Sequence, residues 1–261
     1  MYPHHRLNNS GLVVLLQQWT QAGLGAGPAG RSDVAEQLAP WLSTVDAVTL
    51  SRSLHAIESF PDDLVQGVEG SQELDLHALE DLFLRGKAEL TAAISAKPVP
   101  AKPARERADN TRADAPDPAA EAEFGFHAPR YLGLQKQMDA KLLALRAQIR
   151  HGVSQGSRAL RQLAALDSVM EQLISVRVQR LWASLPAYLD RRMAQLRRDH
   201  QLRLESLGLD DEPHRWRQPG GWLHAFERDL QALLLAEMHV RLQPIMGLLE
   251  AARNENMERQ E

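Results

Sequence analysis

Apolar side chains recur at helical spacing over long stretches in the second half of the chain. The first stretch alternates steps of four, three and four residues, the repeat of a helix that packs along one narrow seam. Its apolar positions are Met138, Leu142, Leu145 and Ile149. The same repeat runs from residue 160 to residue 196 and again from residue 222 to residue 252. The pattern predicts a bundle of long antiparallel helices over residues 126–252.

Glycine and proline mark the interruptions within this half. Gly152 and Gly156 are expected to loosen the first helix from the second, because glycine lowers helix stability. Pro186 is expected to kink or restart the second helix, and Pro244 to bend the last one. A turn-rich connection over residues 208–221 separates the second helix from the last.

The first 96 residues show shorter helical periods. The periodic segments cover residues 11–19, 33–42, 46–57 and 76–94. Ser10 is a candidate N-cap of the first segment. Asp33 and Glu36 have the spacing of a capping box at the start of the second. We predict a small N-terminal helical bundle over residues 1–96.

Between the two halves the composition changes. Residues 97–125 contain five prolines, many alanines and mixed charge, and Val99 is the one large apolar residue before Phe124. Such a segment buries too little surface to offset the entropy of ordering it. We therefore predict a flexible linker over residues 97–125, and a polar tail over residues 253–261.

The composition agrees with an all-α fold, a small N-terminal bundle joined to a larger C-terminal one. Ala and Leu are abundant and aromatic residues make up 5% of the chain, whereas strands favour aromatic and β-branched side chains. The absence of Cys excludes disulfides and thiolate chemistry and fits a reducing compartment. The first residues lack a signal-peptide cleavage pattern, and no apolar run approaches the ~20 residues of a membrane span. We expect a cytoplasmic protein without a membrane span.

Charge is distributed unevenly along the chain. Residues 1–95 carry 5 basic and 12 acidic side chains, whereas residues 130–205 carry 14 basic and 6 acidic ones. The basic side chains of this second block are mostly arginine, and five of them, including Arg203, cluster after Pro186. The candidate interaction residues among them are Arg191, Arg192, Arg197 and Arg198. A basic block beside an acidic one indicates contact with a partner, or between the two halves of the chain.

Two short motifs match the residue patterns of enzyme signatures but lack the secondary structure that those signatures require. Gly25, Gly27 and Gly30 have dinucleotide-loop spacing, but no strand runs directly into the first glycine and no second strand follows. The sequence GVSQG at residues 152–156 follows an amphipathic helix, whereas a nucleophile elbow follows a strand. We interpret the first as a loop and the second as a joint between helices.

Histidine and glutamate stand three residues apart at three places, where both could share a helix face. The pairs are His55 with Glu58, His77 with Glu80, and His224 with Glu227. None has the spacing of a metalloprotease or di-iron helix. Surface pairs are the simpler interpretation, and we predict no catalytic, cofactor or metal site.

Three blocks together resemble an uncharacterised proteobacterial family of unknown function. They are WLSTVDAVTLSRSL at 41–54, LAALDSVME at 163–171 and LAEMHVRLQPIMGLLEA at 235–251. The resemblance implies a bacterial, all-helical, non-secreted protein with no assigned catalytic residues. It also implies a complex with envelope proteins encoded nearby, which carry a peptidoglycan-binding domain similar to outer-membrane protein A. In the last block, Glu237 and Arg241 are spaced for an i, i+4 ion pair.

These features favour a non-enzymatic adaptor or scaffold that binds protein partners. The apolar seam from Met138 to Leu196 is expected to be exposed and to mediate self-association, because a narrow apolar stripe on a long helix needs a partner. The alternative function is nucleic-acid binding through the arginine-rich helix 146–203. It has less support, because Trp182 and Tyr188 are the only aromatic residues there that could stack on bases.

Overall fold

Helices make up all the regular structure in the part of the chain that the structure describes. The computed structural model describes residues 10–21, 43–60, 74–96 and 117–258. The helices are α1 (Gly11–Gln21), α2 (Thr44–Glu58), α3 (Leu76–Ser95), α4 (Pro118–Glu121), α5 (Phe124–Val153), α6 (Arg158–Leu207) and α7 (Trp222–Glu258), with one turn of 3-10 helix at Pro213–Arg215. The predicted all-α class is confirmed. The predicted helix over residues 33–42, the Gly25–Gly30 motif and most of the predicted linker lie outside the described residues.

Polar side chains fix where several of these helices begin and end. The predicted N-cap Ser10 accepts a hydrogen bond from the Val13 amide at 3.2 Å. Ser43 and Asp46 form a reciprocal capping box at the start of α2, which satisfies amides that have no partner within the helix. Ser157 caps α6, and α6 ends at Gly208, whose φ of 62° is favourable for glycine.

Helix α7 is the centre of the core. It packs against α1, α3, α5 and α6, and most of its large apolar residues between Trp222 and Leu249 are buried. Its length and hydropathy are sufficient for a membrane span. The central helix of a packed bundle has the same properties, because it is covered by apolar neighbours on most sides.

The described N-terminal helices pack onto the long C-terminal helices. Helix α1 contacts α7, α2 contacts α6, and α3 contacts both α5 and α7. Lys141 binds Glu89 at 2.9 Å, and the guanidinium of Arg130 donates to the carbonyl of Ala96 at 2.9 Å. Among the described residues the two predicted bundles therefore share one core. The domain boundaries themselves stay predictions.

The end of the predicted linker is part of this packed body. Residues 118–121 form α4, Ala122 is buried, and α5 begins at Phe124 within the range assigned to the linker. At the other end, α7 continues to Glu258, so most of the predicted polar tail is helical. Apolar contacts at Ala122 and Phe124 order residues whose immediate sequence context is proline-rich and polar.

Helix α6 runs through Pro186 without restarting. A proline in a helix cannot donate to the carbonyl four residues earlier, which here belongs to Trp182. That carbonyl instead accepts a hydrogen bond from the side-chain amide of Gln135 on α5, at 3.3 Å. The side chain from a neighbouring helix replaces the missing backbone donor, which explains why the expected restart is absent.

His127 holds the start of α5 against α4 and α7. Its ring is 6% exposed and lies edge-on to Phe126 and Phe226, with centroid separations of 5.2 and 5.1 Å. Nε2 donates to the carbonyl of Glu121 at 2.9 Å. Burial lowers the pKa of His127, against the opposing effect of this hydrogen bond. The folded state therefore favours the neutral imidazole.

The protein is expected to lose stability in mild acid through His127. An unfolded histidine titrates near pH 6.5. Because the folded pKa is lower, this contribution is complete above that pH and declines as the pH falls towards the folded pKa. Thermal unfolding at about pH 7.5 and about pH 5.5 measures it, and His127→Gln should show the smaller change. Equal changes in both proteins would show that His127 does not contribute.

Candidate functional site: a cleft between the three long helices

Helix α6 packs against α2, α5 and α7, but no residue in its middle is buried. Leu160 and Ala164 are buried near its start, and Leu185 and Leu189 in its second half. Between them, residues 165–184 include no buried residue. This stretch nevertheless holds nine large apolar side chains, which are Leu166, Val169, Met170, Leu173, Ile174, Val176, Val178, Leu181 and Trp182. Such a helix is normally covered by neighbours.

A cleft of about 330 Å³ opens between α5, α6 and α7 at this level. Its apolar walls are Leu142 and Leu143 of α5, Ile174, Val178 and Trp182 of α6, and Val240 and Pro244 of α7. The volume lies at the lower end of the range of binding pockets, about 300–1,000 Å³. Leu143, in the α5 wall, is 61% exposed. We call the apolar side chains that line the cleft the cleft face.

A buried polar network lies next to the cleft and reaches it through Arg241 and Asp139. Glu237 is fully buried and accepts hydrogen bonds from the Tyr131 hydroxyl at 2.9 Å and from the Gln135 amide at 3.0 Å. Arg241 binds the same carboxylate at 2.5 Å and also binds Asp139 at 2.6 Å. The predicted i, i+4 ion pair of Glu237 and Arg241 is therefore confirmed.

The network connects α7 to α6 and keeps the Tyr131 hydroxyl protonated. Arg241 lies over the ring of Trp182, with its guanidinium carbon 4.7 Å from the ring centroid, so α7 contacts α6 through a cation–π interaction. Burial, with a smaller effect of the Glu237 carboxylate, raises the pKa of the Tyr131 hydroxyl. Tyr131 therefore remains a neutral donor to Glu237. Since both partners are held by α5 and α7, the network fixes how these two helices align.

A second ionic cluster joins α5 to α6 at one end of the cleft. Arg146 binds Asp167 at 2.5 Å and Glu171 at 3.2 Å, and Arg150 binds the same two carboxylates at 2.7 and 2.6 Å. All four side chains are less than a quarter exposed. The charges compensate one another, so this end of the cleft carries no net charge.

The α5 part of the predicted self-association seam is not exposed, contrary to our expectation, although Leu181 in its α6 part is 48% exposed. Met138, Leu142, Leu145 and Ile149 are between 0 and 6% exposed. They lie in the chain's own core because α3 and α7 both pack against α5. Other helices of the same chain can bury a narrow apolar stripe on a long helix, and α3 and α7 bury this one. Their role in contacts with a partner stays a prediction, without the exposed surface that motivated it.

The four candidate arginines separate into two groups. Arg192 binds Asp229 at 2.7 Å and Arg197 binds Glu123 at 3.0 Å, so both join α6 to other parts of the fold. Arg191 and Arg198 are exposed and make no ion pair with any described residue. Half of these candidates therefore stabilise the bundle and half face solvent.

The short motifs have structural explanations where they are described. The GVSQG sequence joins α5 to α6, and the Ser154 hydroxyl donates to the carbonyl of His151 at 2.6 Å. Gly152 allows α3 to approach closely, since a Cβ there would lie 2.6 Å from Cδ2 of Leu79. Among the described residues, no group of three or more His, Asp or Glu side chains could hold a metal ion.

Sequence reasoning missed the residues that join the three helices. Tyr131, Gln135 and Trp182 are distant from Glu237 along the chain, and nothing in their local spacing indicates contact. The one available signal was Glu237 itself, an acidic residue within the run of apolar residues from Leu233 to Met238. A carboxylate at such a position requires buried partners.

The fold and the cleft define an all-helical bundle with a polar network at its centre. The sequence profile of a family described as "Protein of unknown function (DUF3348)" matches residues 1–254. The chain belongs to this family. No curated protein and no solved structure matches the chain.

Proposed function

We propose that this protein is a non-enzymatic adaptor that binds the apolar side of a partner protein's helix at the cleft face. The observation that carries the proposal is the cleft in the middle of α6, where Ile174, Val178 and Trp182 form one wall in a stretch without one buried residue. Covering such a surface with an apolar partner is favourable by roughly 25 cal/mol for each Å² removed from water.

The geometry of the cleft favours a helix as the occupant. Its walls are three helices that run alongside one another, and a further helix laid along them extends the bundle packing. Helices that bind grooves insert apolar side chains at i, i+3 or i+4, and i+7. The charges at the cleft are already compensated, Arg146 by Glu171 and Arg241 by Asp139. The inserted side chains should therefore be apolar rather than charged.

The alternative of nucleic-acid binding has less support. Arg146, Arg150, Arg192 and Arg197 belong to the arginine-rich helix 146–203, and each is held in an ion pair within the chain. Phosphate binding requires cations that are free to exchange their partners. Membership in an envelope complex, which the family resemblance implies, stays a prediction.

Photo-crosslinking in the native cells tests the adaptor proposal. A benzoylphenylalanine residue at Leu143 in the cleft face is expected to crosslink one partner protein, at residues that share the apolar side of a helix. The same residue at Leu84 on α3 is the matched control, because Leu84 and Leu143 are 58% and 61% exposed. Val178→Asp on the α6 wall of the cleft should abolish the crosslink, and circular dichroism should show that this variant is folded. Equal crosslinking from both positions, crosslinks to nucleic acid, or crosslinks only to a second copy of this chain would contradict the proposal.

A further inference from the structure

Three exposed arginines form a line along α6, on the side opposite the cleft. Arg180, Arg191 and Arg198 are each exposed, and none makes an ion pair with another described residue. They are 11 and 7 residues apart, close to three and two whole helical turns, so they share one side of the helix. We call these three residues the α6 ridge.

The surface between the ridge arginines is small and uncharged. Ala187 and Ala194 are exposed on the same side of the helix, where a neighbouring backbone could approach closely. Asp190 and Asp199 are exposed on its two flanks. At the ends, Val176 and Leu202 are 59% and 63% exposed. The ridge thus combines three arginines without ion-pair partners among the described residues, small side chains between them, and an apolar side chain near each end.

We propose that the α6 ridge docks an acidic helical segment of a partner protein. A helix lying alongside α6 has the same rise of about 1.5 Å per residue, so carboxylates spaced 7 and 11 residues apart would meet all three arginines in register. Its small apolar side chains would cover the alanines between them. This surface is separate from the cleft face, so the two proposals can fail independently.

A nucleic acid fits the ridge less well. Proteins that bind duplex DNA by its phosphates use about 6–10 such contacts, and the ridge supplies three in a straight line. The basic side chains that could extend it, Arg192 and Arg197, are bound to Asp229 and Glu123. A second helix with three carboxylates can pair with these three arginines and needs no further basic residue.

Fluorescence anisotropy with the full-length protein and a synthetic peptide tests the proposal. The peptide is a helix-forming Ala/Leu sequence with three glutamates at the ridge spacing, and its lysine counterpart and a short DNA duplex are the competing probes. Arg180→Glu/Arg191→Glu/Arg198→Glu is expected to weaken binding of the acidic peptide at least about tenfold, and higher salt should weaken binding to the wild-type protein.

A second variant distinguishes an effect of the ridge arginines from an effect of the protein's net charge. Arg85→Glu/Lys87→Glu/Lys136→Glu makes the same charge change at exposed positions on α3 and α5, and it should keep binding within about twofold of wild type. Circular dichroism confirms that both variants are folded. The proposal is overturned if both variants lose binding equally, if neither does, or if the DNA duplex binds more tightly than the acidic peptide.

Discussion

Leu145→Asp is expected to unfold this protein rather than disturb its assembly. Leu145 is 6% exposed and packs so closely on α3 that a Cβ at Gly86 would lie 3.1 Å from its Cδ2. Loss of the leucine side chain costs about 2–5 kcal/mol. Burial of an unpaired carboxylate adds several more, which together approach the whole stability of a typical domain, about 5–15 kcal/mol. Urea unfolding followed by circular dichroism measures the loss.

Leu143→Asp is the matched control for this experiment. The same change is made two residues away on the same helix, at a side chain that is 61% exposed. We expect the urea midpoint of this variant to remain within about 0.5 kcal/mol of wild type in free energy. If Leu145→Asp stayed folded and only reduced the molar mass measured by light scattering, the seam would be an interface after all.

Glu237→Leu is expected to destabilise the fold by about 3 kcal/mol, the lower end of the range for breaking a buried ion pair. The substitution removes the acceptor of Tyr131 and Gln135 and leaves Arg241 next to an apolar side chain. Asp139 still binds Arg241 at 2.6 Å, which limits the cost. Equilibrium unfolding in urea gives the free energy directly.

Two companion variants identify the origin of that loss. Glu237→Gln keeps the shape and one carbonyl acceptor, so it should be less harmful than Glu237→Leu. The double variant Glu237→Leu/Arg241→Leu removes both charges, and it should be more stable than the sum of the two single changes predicts. Strict additivity would show that Glu237 and Arg241 act independently and that the network is not a unit.

Local sequence patterns predicted the helices and several of their ends. The cap at Ser10 and the ion pair of Glu237 with Arg241 depend on residues three or four positions apart. Such contacts follow from the helical repeat alone. The joint at Gly152 was also found, because glycine weakens a helix wherever it stands.

Contacts between residues that are distant in the sequence could not be predicted from local patterns. The seam at Met138 and Ile149 has the same periodicity whether a second chain or the chain's own helices cover it. Gln135 satisfies the carbonyl freed by Pro186 across 47 residues of sequence, and no local rule connects them. The cleft likewise depends on how α5, α6 and α7 align, which is set by side chains such as Tyr131 that meet only after folding.

The contact of α1 with α7 has a consequence for how the chain folds during synthesis. About 200 residues separate the two helices, a very large loop to close for a mostly helical protein. Leu12 is 7% exposed in the folded protein, and α7 is translated after the other described helices. Until α7 has emerged from the ribosome, α1 lacks this packing surface. We therefore expect the nascent chain to present α1 to chaperones that shield apolar segments, and a truncation that removes α7 to leave α1 without this contact.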